Sequence, residues 1–319
     1  MRGARSPLAR GAGEGAESGV KVAATRHLII TADDFGLDLA INEAVEQAYT
    51  GGVLTAASLM VGQPAAADAV ERARRLPGLR IGLHVTLTGA RPLLAPQQLP
   101  DLVDAAGRLP ADLAGLGWRL AASPRARHQA EQEIGAQFQA FANAGLALDH
   151  VNAHQHYHLH PFVLDRILSI GRGFGMRAVR VPFEPLWLAR AVPASASRAG
   201  RVSALGWALG TGWMRRRLLR AGLACNDVLF GLRCSGRLDE ATLCDALERL
   251  RPGIAEVYLH PATRCGPREQ SAGVGPHASE ELEALMSPRV RQQLQALNAS
   301  AGGFSDIPGE APALRGAAA

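Results

Sequence analysis

Short apolar runs recur along the chain, and most are followed by a stretch with helical periodicity. The first run is His27-Leu28-Ile29-Ile30-Thr31, which suits a buried strand. Asp38 is placed to cap a helix through Ile41, Ala44, Val45 and Ala48 that stops at Gly51-Gly52. Val53 to Met60 reads as a second strand, Ala65 to Leu76 as a helix, and Arg80 to Leu87 as a third strand. A long irregular stretch from Gly89 to Pro124 precedes a helix over about 125–144. A strand then leads into Asn152, a helix starts at Pro161, and a strand spans Ala178 to Val181. Asp239 to Leu250 is a further helix and Ile254 to Leu259 a further strand. Repeated βα units with short apolar strands predict a parallel sheet covered by helices.

Polar residues at the strand ends narrow this to a barrel. Asp33-Asp34 follow the first strand, His84 lies near the end of the third, and His154 and His260 end two later ones. In a (β/α) barrel the C-terminal strand ends converge on one face, whereas a flat sheet spreads them along an edge. The expectation is a TIM-barrel-like (β/α) barrel, with room for an irregular one of fewer than eight strands. It covers 27–298 as one domain, between disordered tails at 1–26 and 299–319. Residues 186–222 break the βα pattern, with Val202 to Met214 uncharged and Arg215, Arg216, Arg217 and Arg220 following.

Charge and cysteine content exclude other classes. The net charge is +5, but Lys21 is the only lysine and there is no long basic stripe with interleaved aromatics, so no nucleic-acid partner is expected. None of the four cysteines forms a CxxC pair, which argues against structural zinc, and four cysteines in 319 residues argue against a disulfide framework. With no visible secretory signal, the expected location is cytoplasmic. Trp207 and Trp213 beside the arginines suit an interfacial helix, so 186–222 is a candidate for peripheral contact with the inner face of a membrane; an ordinary helical excursion packed on the barrel fits as well.

Histidines and aspartates carry the chemistry. Residues 149–161 hold five of the ten histidines, and His154, His156, His158 and His160 alternate. Alternation in an extended chain puts all four on one side, as a metal site would need. Asp33 and Asp34 are adjacent carboxylates, costly together unless a cation joins them. One Asp and two His make an open three-ligand site, with a second Asp and a further His left as base and acid.

Thr31-Ala32-Asp33-Asp34-Phe35-Gly36, Gly82-Leu83-His84, Asn152-Ala153-His154-Gln155-His156 and Leu259-His260-Pro261 resemble, in order, the motifs of the YdjC family of carbohydrate deacetylases. The His-Xaa-His-Xaa-His-Xaa-His-Pro run is most similar to the hopanoid-biosynthesis branch. The resemblance implies a TIM-barrel-like fold and one divalent metal ion, magnesium or zinc, held by Asp34, His84 and His154. It implies Asp33 as general base and His260 as general acid. It implies Arg180 and His156 as substrate-side residues, with Arg180 orienting the base or holding the substrate. Where some relatives have Asp and consecutive histidines, this chain has Asn152 and Gln155, which leaves His154, His156 and His158 open as ligands, with His154 favoured. The implied substrate is an acetamido sugar, free as in chitooligosaccharides or lipid-linked as in an N-acetylglucosaminyl hopanoid. A non-catalytic metal- or lipid-binding protein is the alternative. The oligomeric state is not readable.

Overall fold

In the computed structural model the structure describes residues 26–188, 198–264 and 274–308, with the side chains of 198–204 outside that description. Strand β1 (Arg26–Phe35) is its axis, buried from His27 to its end. It lies parallel between β2 (Ala56–Leu59) and β6 (Gly253–Leu259). Outward from β2 come β3 (Arg80–Val85) and β4 (Val151–Ala153), and outward from β6 comes β5 (Val228–Phe230), all parallel. The expected strand at 178–181 appears as two parallel bridges, Val151 to Val179 and Ala178 to Ala224. These bridges carry the pairing from β4 towards the segment that becomes β5. The sheet therefore curls into an irregular barrel with fewer than eight staves among the described residues, as the sequence predicts.

The helices surround this sheet. Asp38 caps α1 (Leu39–Thr50) by accepting from the Ala40 amide. Helices α2 (Ala66–Arg75), α4 (Pro124–Asn143), α5 (Pro161–Gly171) and α7 (Glu240–Arg249) fall where periodicity places them. The stretch read as irregular contains α3 (Leu113–Ala122), capped by Asp112. Gly115 and Gly117 inside it hide its helical character in the sequence. Part of the atypical segment is α6 (Arg198–Arg220); residues 189–197 of that segment lie outside the described residues.

Alternation along the strands sorts two surfaces. Leu28, Ile30 and Ala32 of β1 join the large core between barrel and helices. Ile29, on the opposite face, forms a small cluster inside the barrel with Ala56, Ala178 and Phe304. Above this plug the interior turns polar: the Thr31 hydroxyl donates to Glu256 Oε1 at 2.8 Å, and the Asn152 amide to Ser58 Oγ at 2.9 Å.

The C-terminal end corrects the expectation of a disordered tail from 299. After α8 (Ala278–Met286) and α9 (Pro288–Ala296), β7 (Ser300–Ala301) pairs in parallel with β1. Phe304 is then buried against the His150 ring, 5.0 Å between centroids. Polar, glycine-rich composition hid this segment, because one aromatic carries its burial. Residues 1–25 and 309–319 lie outside the described residues. Phe304→Ala is expected to lower stability by about 3 kcal/mol, the range for emptying a buried aromatic site. Chemical denaturation checks this; a loss below about 0.5 kcal/mol would return 300–308 to the status of a tail.

Candidate metal centre and active site

Adjacent residues of a regular strand point to opposite faces, so Asp33 and Asp34 could not both enter the barrel from an undisturbed β1. The pairing of β1 with β2 shifts register between Ala32 and Phe35, and Asp34 adopts a left-handed backbone, φ 62°. This irregularity lets both carboxyl groups reach the same cluster of polar side chains.

Asp34 meets the two expected histidines. Its Oδ1 lies 3.2 Å from His84 Nε2 and 3.0 Å from His154 Nδ1. One ligand atom from each of the three residues falls within 4.8 Å of the others. Burial opposes ionisation of Asp34, but His154, by its charge and its hydrogen bond, outweighs it and holds the carboxyl well below the ordinary range. Two ligand atoms on one tetrahedral zinc-sized ion stand roughly 3.4 Å apart, close to these separations. His84 Nδ1 donates to Asn152 Oδ1 at 2.7 Å, which leaves the Nε2 lone pair towards Asp34. Two electron-pair donors facing each other is the arrangement a cation relieves, so the residues fit a divalent ion.

Asp33 is held differently. Arg180 Nη1 reaches its Oδ2 at 2.5 Å, while Arg180 Nη2 and Asn152 Nδ2 reach its Oδ1 at 3.0 and 3.3 Å. Burial again opposes ionisation, but Arg180 overrides it and holds the carboxyl far below the usual range. The other side of the guanidinium meets Glu256 Oε1, from Nε at 3.0 Å and Nη2 at 2.7 Å. With the histidines left out, Asp33, Asp34 and Glu256 against Arg180 sum to a formal charge of −2, which a divalent cation would balance.

The Arg180 side chain is fully buried and paired with two carboxyl groups, Asp33 and Glu256, the arrangement of a residue that orients Asp33. The histidine run needs a correction. Gln155 and His156 both take left-handed backbone, φ 54° each, inside a 3-10 turn over His154–Leu159. The chain is not extended there, and alternation does not put the four rings on one side. His154 joins Asp34. The His156 ring instead faces Tyr258, 5.1 Å between centroids, and burial together with Arg180 pushes its pKa well below the ordinary value. His158 is fully buried, donates from Nε2 to the Arg180 carbonyl at 2.9 Å, and is pushed by burial to a pKa of about 3. His160 stacks on Tyr157.

His260 follows the end of β6 and is fixed through its backbone, whose N–H donates to Glu281 Oε2 at 2.5 Å. Its ring lies edge-on to Tyr258. Sequence reading missed Glu256, Glu281, Asn152 as a partner of His84, and Ser58. A polar residue at an even spacing from a site residue was the available signal, as Asn152 is to His154 and Glu256 to His260.

A model of YdjC-like proteins matches residues 27–296. The chain belongs to the YdjC-like family. The mouse protein named carbohydrate deacetylase is 31% identical over 312 residues, 89% of this chain and 96% of that one. A Brevibacillus brevis protein of the same name is 35% identical over 161 residues, 50% of this chain, and the match spans only 60% of the relative's length. Among solved structures, an Enterococcus faecalis protein named for cellobiose-phosphate cleavage superposes with a TM-score of 0.69 over 88% of this chain and 98% of its own, at 22% identity. That likeness concerns the fold alone.

Arg180→Leu in this YdjC-like chain would strand Asp33 and Glu256 without their cation. A stability loss of about 3–5 kcal/mol is expected, with a smaller loss for Arg180→Lys. Denaturant titration of the two variants checks this, and equal, small losses would contradict the ion-pair geometry.

Proposed function

We propose that this chain is a metal-dependent N-deacetylase acting on an acetamido sugar. The observation that carries the reading is the pairing of an Asp34–His84–His154 cluster with Asp33, a second carboxyl held ionised beside it. The deacetylase names of full-length relatives support the reaction class. Two imidazoles and a carboxylate suit zinc and similar borderline ions better than magnesium, which prefers oxygen ligands.

Asp34, His84 and His154 would hold the ion. A divalent ion bound there would polarise the amide carbonyl and raise the acidity of the attacking water, which a carboxylate as weakly basic as Asp33 requires. Arg180 and Asn152 keep Asp33 ionised and aimed, so its oxygen accepts the proton as water adds to the carbonyl carbon. His260 gives a proton to the nitrogen as the C–N bond breaks, releasing acetate and the free amine. His156, neutral beside Tyr258 and Trp207, is placed to line the substrate side.

We propose further that the sugar is lipid-linked, in the manner of an N-acetylglucosaminyl hopanoid. Helices α3 and α6 flank the His154–Leu159 turn: Gly117 lies beside Tyr157 and His160, and Gly210 beside Leu159. These helices expose Trp118 (76%), Leu205 (63%) and Leu209 (67%). Such an apolar rim, with arginines at the end of α6, suits peripheral contact with an anionic membrane surface. Among the described residues no helix is long and apolar enough to cross a membrane.

Acetate release from an N-acetylglucosaminyl hopanoid and from a chitooligosaccharide tests both readings, with added zinc or with chelator. Release is expected from the lipid-linked sugar, abolished by chelator, and lowered at least about 100-fold in Asp33→Asn with metal still bound. Release only from the chitooligosaccharide would remove the lipid reading. No release from either, with metal in place, would favour a binding protein.

A further inference from the structure

Behind the site, buried polar side chains form a continuous hydrogen-bonded path whose members beyond Asn152 the proposed chemistry does not use. Its far end is Asp149. Burial alone would raise this carboxyl, but donors from His150 and Ser305 bring its pKa down to about 2, so it accepts only. His150 Nδ1 lies 2.9 Å from Asp149 Oδ2 and therefore carries the proton. His150 Nε2 is then the acceptor for the Ser58 hydroxyl at 3.0 Å. Ser58 Oγ in turn accepts from Asn152 Nδ2 at 2.9 Å. The Asn152 amide is oriented by this bond and by its second N–H, which points to the Asp33 carboxylate, so its Oδ1 must take the proton of His84 Nδ1. Every donor in the path points the same way, from His84 to Asp149.

Two close approaches mark the path as built. A Cβ on Gly82 would stand 2.4 Å from the His150 ring. A Cβ on Gly303 would stand 2.7 Å from Asp149 Oδ1. The C-terminal segment closes the end: the Phe304 and Ser305 amides and the Ser305 hydroxyl all donate to Asp149, and the Phe304 ring lies on His150.

We propose that Asp149, His150, Ser58 and Asn152 are positioning residues that fix His84 with its proton on Nδ1 and its Nε2 lone pair presented to the metal centre. A histidine ligand commonly donates its other N–H to a carboxylate. Here the carboxylate acts at a distance, its charge relayed through two side-chain dipoles and a second imidazole. The same amide orients Asp33, so one path sets both the ligand and the base. The inference rests on the metal-centre reading above.

The test is the apparent zinc dissociation constant of the full chain, measured by competition with a chromophoric chelator. Ser58→Ala cuts the path with the loss of one oxygen and is expected to weaken zinc binding about tenfold or more. Leu243→Ala in α7 serves as a destabilised control away from the path, and its affinity is expected within about twofold of the parent chain. Affinity of Ser58→Ala within twofold of the parent would overturn the proposal. Should Ser58→Ala fail to fold, the unmodified chain decides by nitrogen-15 spectra of its histidines: a neutral His150 protonated on Nδ1 supports the path, and a proton on Nε2 overturns it. Acetate release is read in parallel. Ser58-dependent zinc affinity without acetate release would remove the deacetylase reading and leave the path standing; acetate release with Ser58-independent affinity would do the reverse.

Discussion

A guanidinium buried out of contact with water is tolerable only when its charge and its donors are matched, and Arg180 at the centre of this barrel sets that demand. Asp33 and Glu256 match it from β1 and β6, and Thr31 helps fix Glu256. The backbone of Arg180 is held as well: its N–H donates to the Val151 carbonyl, and its carbonyl accepts from His158. The histidine run thus serves two ends of one arrangement, with His154 against Asp34 and His158 fixing Arg180, which is paired with Asp33. Two carboxyl groups on one guanidinium, with Asp34 beside them, leave an excess of negative charge that favours positive charge in the open part of the site, from a bound cation or from the His154 imidazole, whose pKa Asp34 raises.

The fold supplies this by making its interior polar in layers. Ile29, Ala56, Ala178 and Phe304 plug the lower end with apolar side chains. Thr31, Ser58, His150 and Glu256 form a middle level of polar groups, Thr31 bonded to Glu256 and Ser58 to His150. Asp33, Asp34, His84, Asn152 and His154 occupy the level above, joined to one another by hydrogen bonds. Each level stands two residues beyond the last along its strand, so the period of the strand organises the chemistry. Left-handed backbone at Asp34, Gln155 and His156 breaks that period where two neighbouring residues must serve one site.

This explains what the sequence could tell. The βα order and the Asp38 cap were legible from local periodicity, the concentration of Asp and His at strand ends from position, and the particular set Asp34, His84 and His154 from the resemblance to the YdjC motifs. Arg180 was legible as a residue near the base, but its full burial was not, since the partner Glu256 lies 76 positions away. The geometry of the histidine run was misjudged because alternation assumes an extended chain and nothing in Gln155-His156 announces left-handed backbone. Helix α3 was hidden by its glycines, and the ordered C-terminal segment by a composition that reads as tail apart from Phe304. Residues whose roles depend on distant partners are where sequence periodicity stops being informative.

Membership of the YdjC-like family and the barrel place the site, while the charge balance around Arg180 argues for what fills it. Anomalous X-ray scattering from crystals grown with zinc tests this most directly. The account predicts one strong peak within about 2.0–2.3 Å of ligand atoms from Asp34, His84 and His154, with Asp33 beside it still paired to Arg180. A peak on His156 or His158, or none within reach of Asp34, would contradict it.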